Sequence, residues 1–234
     1  MPSPSHLHLA NILIHIATGS LVILLGLRLL VSTKGDRAHR VRGRTALIIA
    51  GFSLATALLG AVIYRAKPDL LCVCLLMIYH IWAGLRALRL KNRGRGPFDG
   101  LPALMMVGIG GSLIWLFSLN ISFQWEASRI YATAGGLITF GGYDLVRMCF
   151  PLPWRQFLNP AEHAFRMTCL VGAFISVACG TLFVTAYAAL VPSGLFTGLA
   201  CIMAARAARL ASRNTLGVTP SAALKARLKT DKEL

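Results

Sequence analysis

Seven long apolar stretches separated by short polar segments set the pattern of this chain. They cover residues 9–33, 45–64, 70–88, 100–120, 128–147, 166–187 and 189–207. A helix of about 20 apolar residues spans a hydrocarbon layer of roughly 30 Å. The pattern therefore predicts an all-α fold, a polytopic transmembrane helical bundle of seven spans, with six as the fallback if the last hairpin does not cross. We predict this bundle over residues 1–212 and a basic cytoplasmic tail over residues 213–234.

Two polar segments mark the boundaries of the later spans. Residues 149–160, rich in Pro, Trp and Phe, form the longest interruption and are predicted to be a loop at the membrane interface. Residues 192–194, Pro-Ser-Gly, are predicted to turn the chain between the last two spans.

Positive charge lies on alternate polar segments. Of the 24 Lys and Arg residues, only Arg65, Lys67 and Arg129 lie outside the first, third and fifth segments, the helix ends beside them and the C-terminal tail. Short loops rich in Lys and Arg stay in the cytoplasm. The chain is therefore predicted to be a multi-pass membrane protein with its N-terminus outside and its C-terminus in the cytoplasm. We expect the membrane to be the bacterial inner membrane.

Composition agrees with a membrane protein and narrows its chemistry. Hydrophobic residues make up 56% of the chain and the mean hydropathy is +0.66. The net charge of +16 is banded beside the spans, which predicts attraction to anionic lipid headgroups and not to nucleic acid. The six cysteines form no C-x-x-C pair and are interpreted as free thiols, and no metal site is predicted. No lysine lies inside a span, which excludes a retinal protein, and no nucleotide-binding or hydrolytic motif occurs.

Two histidines lie within apolar stretches, where ionisable groups indicate function by default. His15 begins the segment His-Ile-Ala-Thr-Gly19 and His80 begins His-Ile-Trp-Ala-Gly84, and both are expected at similar depth. Two facing imidazoles with glycine beside them are what a b-type haem requires, so His15, His80, Gly19 and Gly84 are predicted cofactor-binding residues. Hydrogen bonding between helices and a proton or substrate path remain open as alternatives.

A second set of candidate residues lies on the basic side. Lys34, His39, Arg44 and His163 are predicted to bind an anion, a lipid headgroup or a partner, since such groups favour basic helix ends. A solvated basic loop is the alternative.

One acid, Asp144, stands inside an apolar stretch. Arg147, one turn further along, is expected to pair with it near the inner interface. A structural ion pair is the favoured interpretation, and a proton relay is the alternative.

The segment from His15 to Arg44 resembles the opening of a bacterial membrane-protein family catalogued as domain of unknown function 2306. The resemblance comprises His15-Ile-Ala-Thr-Gly19, Lys34-Gly35, His39 and Gly43-Arg44, and is best over residues 12–66. Residues 162–167, Glu-His-Ala-Phe-Arg-Met, are similar to the family's entry to a late span. The resemblance implies a topology and a set of positions, His15, Lys34, His39, Gly43, Arg44 and His163, and implies no reaction.

Three functions follow as hypotheses. The first is a membrane redox or electron-transfer protein holding haem b between His15 and His80, with His39, Arg44 and His163 orienting a propionate, a quinone headgroup or a partner. The second is a non-catalytic membrane subunit or assembly factor whose basic loops bind lipid or a membrane protein complex. The third is a small-molecule or proton-coupled transporter, ranked last because the predicted spans hold few acids.

Overall fold

The computed structural model describes residues 6–64, 69–90, 96–119, 127–183 and 187–216. All regular secondary structure in these ranges is helical, which confirms the predicted fold class. Seven helices occur there: α1 (His6–Val31), α2 (Arg37–Ile63), α3 (Asp69–Leu90), α4 (Pro97–Ser118), α5 (Ala127–Arg147), α6 (Leu152–Leu182) and α7 (Leu190–Leu216).

Six of these seven helices are long and apolar enough to cross a membrane, and α5 is the exception. The 21 residues of α5 would be long enough, but glycines, threonines and tyrosines, together with Asp144 and Arg147, lower its hydropathy. The fallback of six spans anticipated a weak final hairpin, whereas α7 qualifies as a span and α5 does not. Seven crossings and their orientation stay predictions.

The predicted loop over residues 149–160 is wrong for most of its length, because α6 begins at Leu152. Proline is tolerated in the first helical turn, where its missing N–H has no helical partner in any case. Pro160 lies inside the helix, and the chain continues through it without a break in helical structure. Glu162 and His163 are therefore part of α6 and not of a loop before it.

The turn predicted at residues 192–194 is also misplaced, because Pro192 lies in the first turn of α7. The helix α7 continues to Leu216, which takes the first residues of the predicted tail into the helix. Residues 217–234, which make up the rest of the predicted tail, lie outside the described residues.

Six of the helices described pack as three hairpins, and α3 connects the three. The pairs α1–α2, α4–α5 and α6–α7 are in contact, α3 packs against α2, α5 and α6, and α6 also packs against α1. An inner apolar core joins α1, α2, α3 and α6 and consists of Val22, Ala50, Leu54, Cys74, Met77, Leu170 and Phe174. A second apolar cluster, which includes Tyr79, Met106 and Leu137, joins α3, α4 and α5. The outer surface exposes many large apolar side chains, such as Leu24, Ile48 and Phe52, as expected of a lipid-facing bundle.

Contacts near the helix ends define two opposite ends of the bundle. Gly84, late in α3, contacts His163, early in α6, and Arg86, also late in α3, contacts Asp99 at the start of α4. We call this end the basic face. Its basic residues on the helices and in the α1–α2 turn are Arg28, Lys34, Arg37, Arg40, Arg42, Arg44, Arg86, Arg89, Arg206 and Arg209. The opposite end, where α1 begins and α2 ends, is called the far face.

The turn between α1 and α2 is built by two residues. Gly35 has φ 82°, a left-handed conformation that side chains other than glycine's disfavour. Asp36 then caps α2 by accepting a hydrogen bond from the backbone N–H of His39. The sequence Lys-Gly-Asp therefore fixes a tight connection at the basic face.

Candidate functional site

The predicted ligand His15 faces the neighbouring helix α2. Its Nδ1 lies 3.0 Å from the carbonyl oxygen of Ser53 and 3.2 Å from Oγ1 of Thr56. A side chain at Gly19 would approach the Oγ atom of Ser53, so the small residue serves close packing of the α1–α2 hairpin.

The predicted ligand His80 faces the other side of the bundle. It is 2% exposed, and its ring lies edge-on to Phe140 of α5 with 4.5 Å between centroids. A Cβ at Gly84 would meet the side chains of Met167 and Arg166, so this glycine admits α6 close to α3. The contacts of His15 and His80 share no residue in the described chain. The haem prediction gains no support from these contacts and stays a prediction.

The second set of candidate residues clusters at the basic face. The Lys34 ammonium donates to the carbonyl oxygens of Leu29 and, at 2.8 Å, Leu30, which places its charge at the C-terminal end of α1. Partial burial lowers the pKa of Lys34. The His39 ring is hydrogen-bonded through Nδ1 to Oγ of Ser32 at 3.1 Å.

His163 joins this set from α6. Its Nδ1 donates to the carbonyl oxygen of Gly84 at 3.1 Å, and its imidazole is close enough to His39 for the two to interact electrostatically. The structure therefore brings His39, His163 and Lys34 into one region, with Arg44 exposed on α2 at the same end. Anion binding there stays a prediction.

The most unusual feature of the bundle is a group of buried charges between α3, α5 and α6. We call it the interior cluster, and it consists of Tyr79, Asp144, Arg147, Asn159, Glu162 and Arg166, each no more than 4% exposed. It extends from the middle of α3 to the basic end of α5.

Arg166 is the centre of the interior cluster. Its Nη2 donates to Oδ1 of Asp144 at 2.8 Å, and its Nε lies 3.9 Å from Oε1 of Glu162 on the preceding turn of α6. The guanidinium carbon also lies 5.3 Å from the ring centre of Tyr79 and 5.0 Å from that of Phe140. Aromatic faces attract cations, so both rings stabilise the charge in the absence of water.

The remaining members complete a hydrogen-bonded line. The Tyr79 hydroxyl donates to Oδ2 of Asp144. At the other end, Arg147 forms an ion pair with Glu162 and donates to the side-chain oxygen of Asn159. Two guanidinium groups and two carboxylates balance, so the cluster is electrically neutral when both acids are ionised.

Two nitrogen atoms, one in the interior cluster and one beside it, are buried without a hydrogen-bond partner among the described residues. They are Nη1 of Arg166 and Nδ1 of His80. Both side chains contact the ring of Phe140, so both nitrogens belong to one neighbourhood. Buried polar atoms are nearly always satisfied, so each exception calls for an explanation, such as a catalytic role or a bound water or ion.

Sequence reasoning identified Asp144 and His80 and missed most of their surroundings. Arg166 was counted as part of a basic loop, and Glu162 was placed outside the membrane. The spacing of Glu162 and Arg166, one helical turn apart, is the local signal that could have placed both on one face of α6. The structure gives Asp144 a partner on another helix, Arg166, in addition to any interaction with its neighbour Arg147.

The arrangement can hold and exchange protons. Asp144 and Glu162 are titratable, both contact Arg166, and arginine keeps its proton in proteins. Among the described residues, no three His, Cys, Asp or Glu side chains group as metal ligands. Comparison with family models, with curated proteins and with solved structures finds no match for this chain.

Proposed function

We propose that this protein carries protons across the membrane and that the interior cluster is the site through which they pass. The observation that carries the proposal is the Arg166–Asp144 ion pair, whose side chains are 1% and 0% exposed inside a bundle of apolar helices. Intramembrane ionisable residues are costly and most often mark proton or substrate paths. This develops the third sequence hypothesis, since the structure adds Glu162 to the acids of the interior.

A purely structural role accounts less well for the cluster. Removing an ion from water into a protein interior costs several kcal/mol, and apolar residues of similar volume often stabilise such a site equally well or better. Many of the other buried side chains of α3, α5 and α6 are apolar, such as Met77, Leu137 and Leu170. Charges kept in this interior therefore favour a role that only charges can perform.

The chemistry assigned to the cluster is simple. A proton entering from the basic face binds the Glu162 carboxylate, moves to the Asp144 carboxylate and leaves it toward the middle of the bundle. Each carboxylate gains and then loses one proton, and no other bond changes. Arg166 stays protonated and holds both acids in place, while Tyr79 maintains the orientation of Asp144.

The test measures proton flux into vesicles. Purified protein is reconstituted in liposomes containing a pH-sensitive dye, and a potassium gradient with valinomycin sets the membrane potential. We expect faster proton entry than in protein-free vesicles. Asp144→Asn should reduce the rate to that of protein-free vesicles, because the amide keeps the size of the side chain and one acceptor oxygen but cannot carry a proton.

The chain offers a matched control in Asp99→Asn. Asp99 is also buried and paired with an arginine, Arg86, but it lies at the basic face outside the interior cluster. Its variant should conduct as the wild type does. A wild type no faster than empty vesicles, or Asp144→Asn that conducts normally, would refute the proposal.

We propose further that the basic face is cytoplasmic and that the membrane is the bacterial inner membrane. The proposal rests on the accumulation of Lys and Arg at one end of the bundle, because short loops rich in these residues stay in the cytoplasm. Reporter fusions after residue 95 and after residue 234 should both report the cytoplasm. A periplasmic signal from either fusion would reverse the orientation.

A second candidate function is a membrane subunit that binds anionic lipid or a partner through the basic face. The observation favouring it is the grouping of Lys34, His39 and His163 beside exposed arginines. Native mass spectrometry of the protein with cardiolipin should show retained lipid, and Arg44→Gln together with Lys34→Gln should lower retention. The haem prediction is tested in the same preparation, since bound haem b gives a Soret band that His80→Ala removes or shifts.

A further inference from the structure

We infer that a polar stripe on α1 forms a second proton path, from the far face to the middle of the bundle, with His15 as its proton carrier. The inference rests on the proposed function, because this second path would carry protons through the part of the membrane that the interior cluster does not reach. The stripe consists of His8, Asn11, His15 and Thr18, which the spacing of three and four residues places on one face of α1.

Three members of the stripe, His8, Asn11 and His15, contact polar groups of α2 or of Tyr64 at its end. The His8 ring contacts the ring of Tyr64 at the end of α2, with 4.3 Å between centroids. Asn11 donates from Nδ2 to the carbonyl oxygen of Thr56 at 3.1 Å. Together with the contacts of His15 to Ser53 and Thr56, these groups make a polar line that starts at the far face and runs inward.

The hydrogen bonds of His15 determine which ring nitrogen accepts a proton. Nδ1 lies 3.0 Å from a carbonyl oxygen, which only accepts, so Nδ1 carries the hydrogen in the neutral ring. Thr56 donates its own hydroxyl hydrogen to the same carbonyl at 2.8 Å and is therefore an acceptor toward His15. Nε2 is left with a lone pair and can take up one proton, and the ring releases one proton in turn.

The inner end of the stripe carries an unsatisfied polar atom, as the interior cluster does. Ser53 is 0% exposed, and its Oγ has no hydrogen-bond partner among the described residues. Gly19 keeps the space beside this hydroxyl free of a side chain. The corresponding atom beside the interior cluster is Nδ1 of His80.

The inner apolar core packs between α2 and α3, the helices that carry the inner ends of the two polar lines. Leu54 and Met77 of that core belong to α2 and α3, which carry Ser53 and His80. Charge crosses an apolar layer only at high cost. The layer therefore prevents a continuous leak, and proton transfer across it is the step that the protein must control.

Interhelical hydrogen bonding alone is the competing explanation for the stripe. Such bonds contribute about 0.6–2 kcal/mol each to helix association in membranes and require no titratable group. The side chains of Ser53 and Thr56, which face His15 from α2, do not titrate near neutral pH. A loss of flux that follows the imidazole, and not the exposed control histidine, would thus be attributable to His15.

The experiment uses the reconstituted full chain and the same proton-flux assay. His15→Gln retains a hydrogen-bonding side chain but cannot become charged, and His6→Gln is the matched control, because His6 is exposed at the start of α1 outside the stripe. Proton-transfer groups contribute typically 10²–10⁴-fold to rates, so we expect His15→Gln to lose about tenfold or more.

The outcomes separate this inference from the proposed function. Wild-type flux that Asp144→Asn abolishes and His15→Gln leaves unchanged would refute the second path and leave the first intact. Absence of wild-type flux would refute both. Equal loss in His6→Gln and His15→Gln would also refute the assignment, because the effect would not be specific to the stripe.

Discussion

Two arginine–aspartate pairs join neighbouring helices in this bundle, one in the interior and one at the edge. Arg166 and Asp144 join α6 to α5 at 2.8 Å, with side-chain exposures of 1% and 0%. Arg86 and Asp99 join α3 to α4 at 2.5 Å, but Arg86 is 38% exposed. The chemistry of the two pairs is the same and their surroundings differ, so the energetic consequence of breaking each pair should differ as well.

The surroundings determine what remains after one partner is lost. In the interior, a carboxylate that loses its arginine stays in an apolar environment, since no solvent reaches it. At the edge, water, salt and headgroups replace the lost partner. The interior pair is therefore suited to hold a proton at a chosen place, and the edge pair to connect two helix ends.

The largest effect is expected for Arg166→Leu. The substitution removes the guanidinium group that contacts the carboxylates of both Asp144 and Glu162. Breaking a buried ion pair by removing one partner typically costs about 3–5 kcal/mol of folding stability. Unfolding of the purified protein in mixed micelles, followed by helical circular dichroism against SDS fraction, measures the loss.

The double variant Arg166→Leu with Asp144→Leu sharpens this measurement. Removing both charges should recover part of the loss, and the Tyr79 hydroxyl left without its acceptor should account for about 1–3 kcal/mol of what remains. If the double variant is less stable than Arg166→Leu alone, the uncompensated charge is not the cause, and the comparison of interior with edge fails.

A smaller effect is expected at Gly141, which lets α5 pack closely against α4. A Cβ there would lie 2.6 Å from the backbone oxygen of Ala103 and 2.9 Å from Cγ2 of Val107, both on α4. Since backbone cannot move aside as a flexible side chain does, Gly141→Ala should destabilise the fold by about 1–3 kcal/mol.

The adjacent glycine is a matched control for this substitution. A Cβ at Gly142 would meet nothing within 4 Å, so Gly142→Ala should be neutral or slightly stabilising. The two variants differ by one position on the same helix and add the same methyl group. Equal stability of both in the same SDS titration would show that α4 and α5 are not packed as closely as described.

The sequence allowed the helices to be predicted, because long apolar runs are local features. Both bounds of α5 and the end of α2 agree closely with the predicted stretches. The start of α6 was missed because Pro151, Pro153 and Pro160 are typical of a loop, although proline near a helix start is compatible with the helix. That single error placed Glu162 outside the membrane and removed an acid from the interior.

The partners of the buried charges were not predictable from one sequence. Asp144 and Arg166 are far apart in the chain, and only the packing of α5 against α3 and of α3 against α6 brings them together. The same holds for the two histidines, which share depth and local sequence but face different helices. Depth follows from position along a span, whereas the direction a side chain faces depends on the neighbours of its helix.

The smallest effect is expected for Arg86→Gln at the edge. Asp99 keeps a second role there, because its Oδ2 accepts a hydrogen bond from the backbone N–H of Gly96 at 2.8 Å and caps α4. Water and headgroups screen the exposed arginine, so its loss should cost no more than about 1 kcal/mol.

The dependence on salt distinguishes the two pairs more sharply than the loss itself. Raising ionic strength from 0.01 M to 1 M shortens the Debye length from about 30 Å to about 3 Å, which weakens exposed charge pairs and leaves buried ones nearly unchanged. The stability difference between wild type and Arg86→Gln should shrink over this range, while that between wild type and Arg166→Leu persists. A loss above about 2 kcal/mol in Arg86→Gln that does not change with salt would mean that the edge pair is as isolated from solvent as the interior pair. The exposure of Arg86 would then not explain the difference between the two pairs.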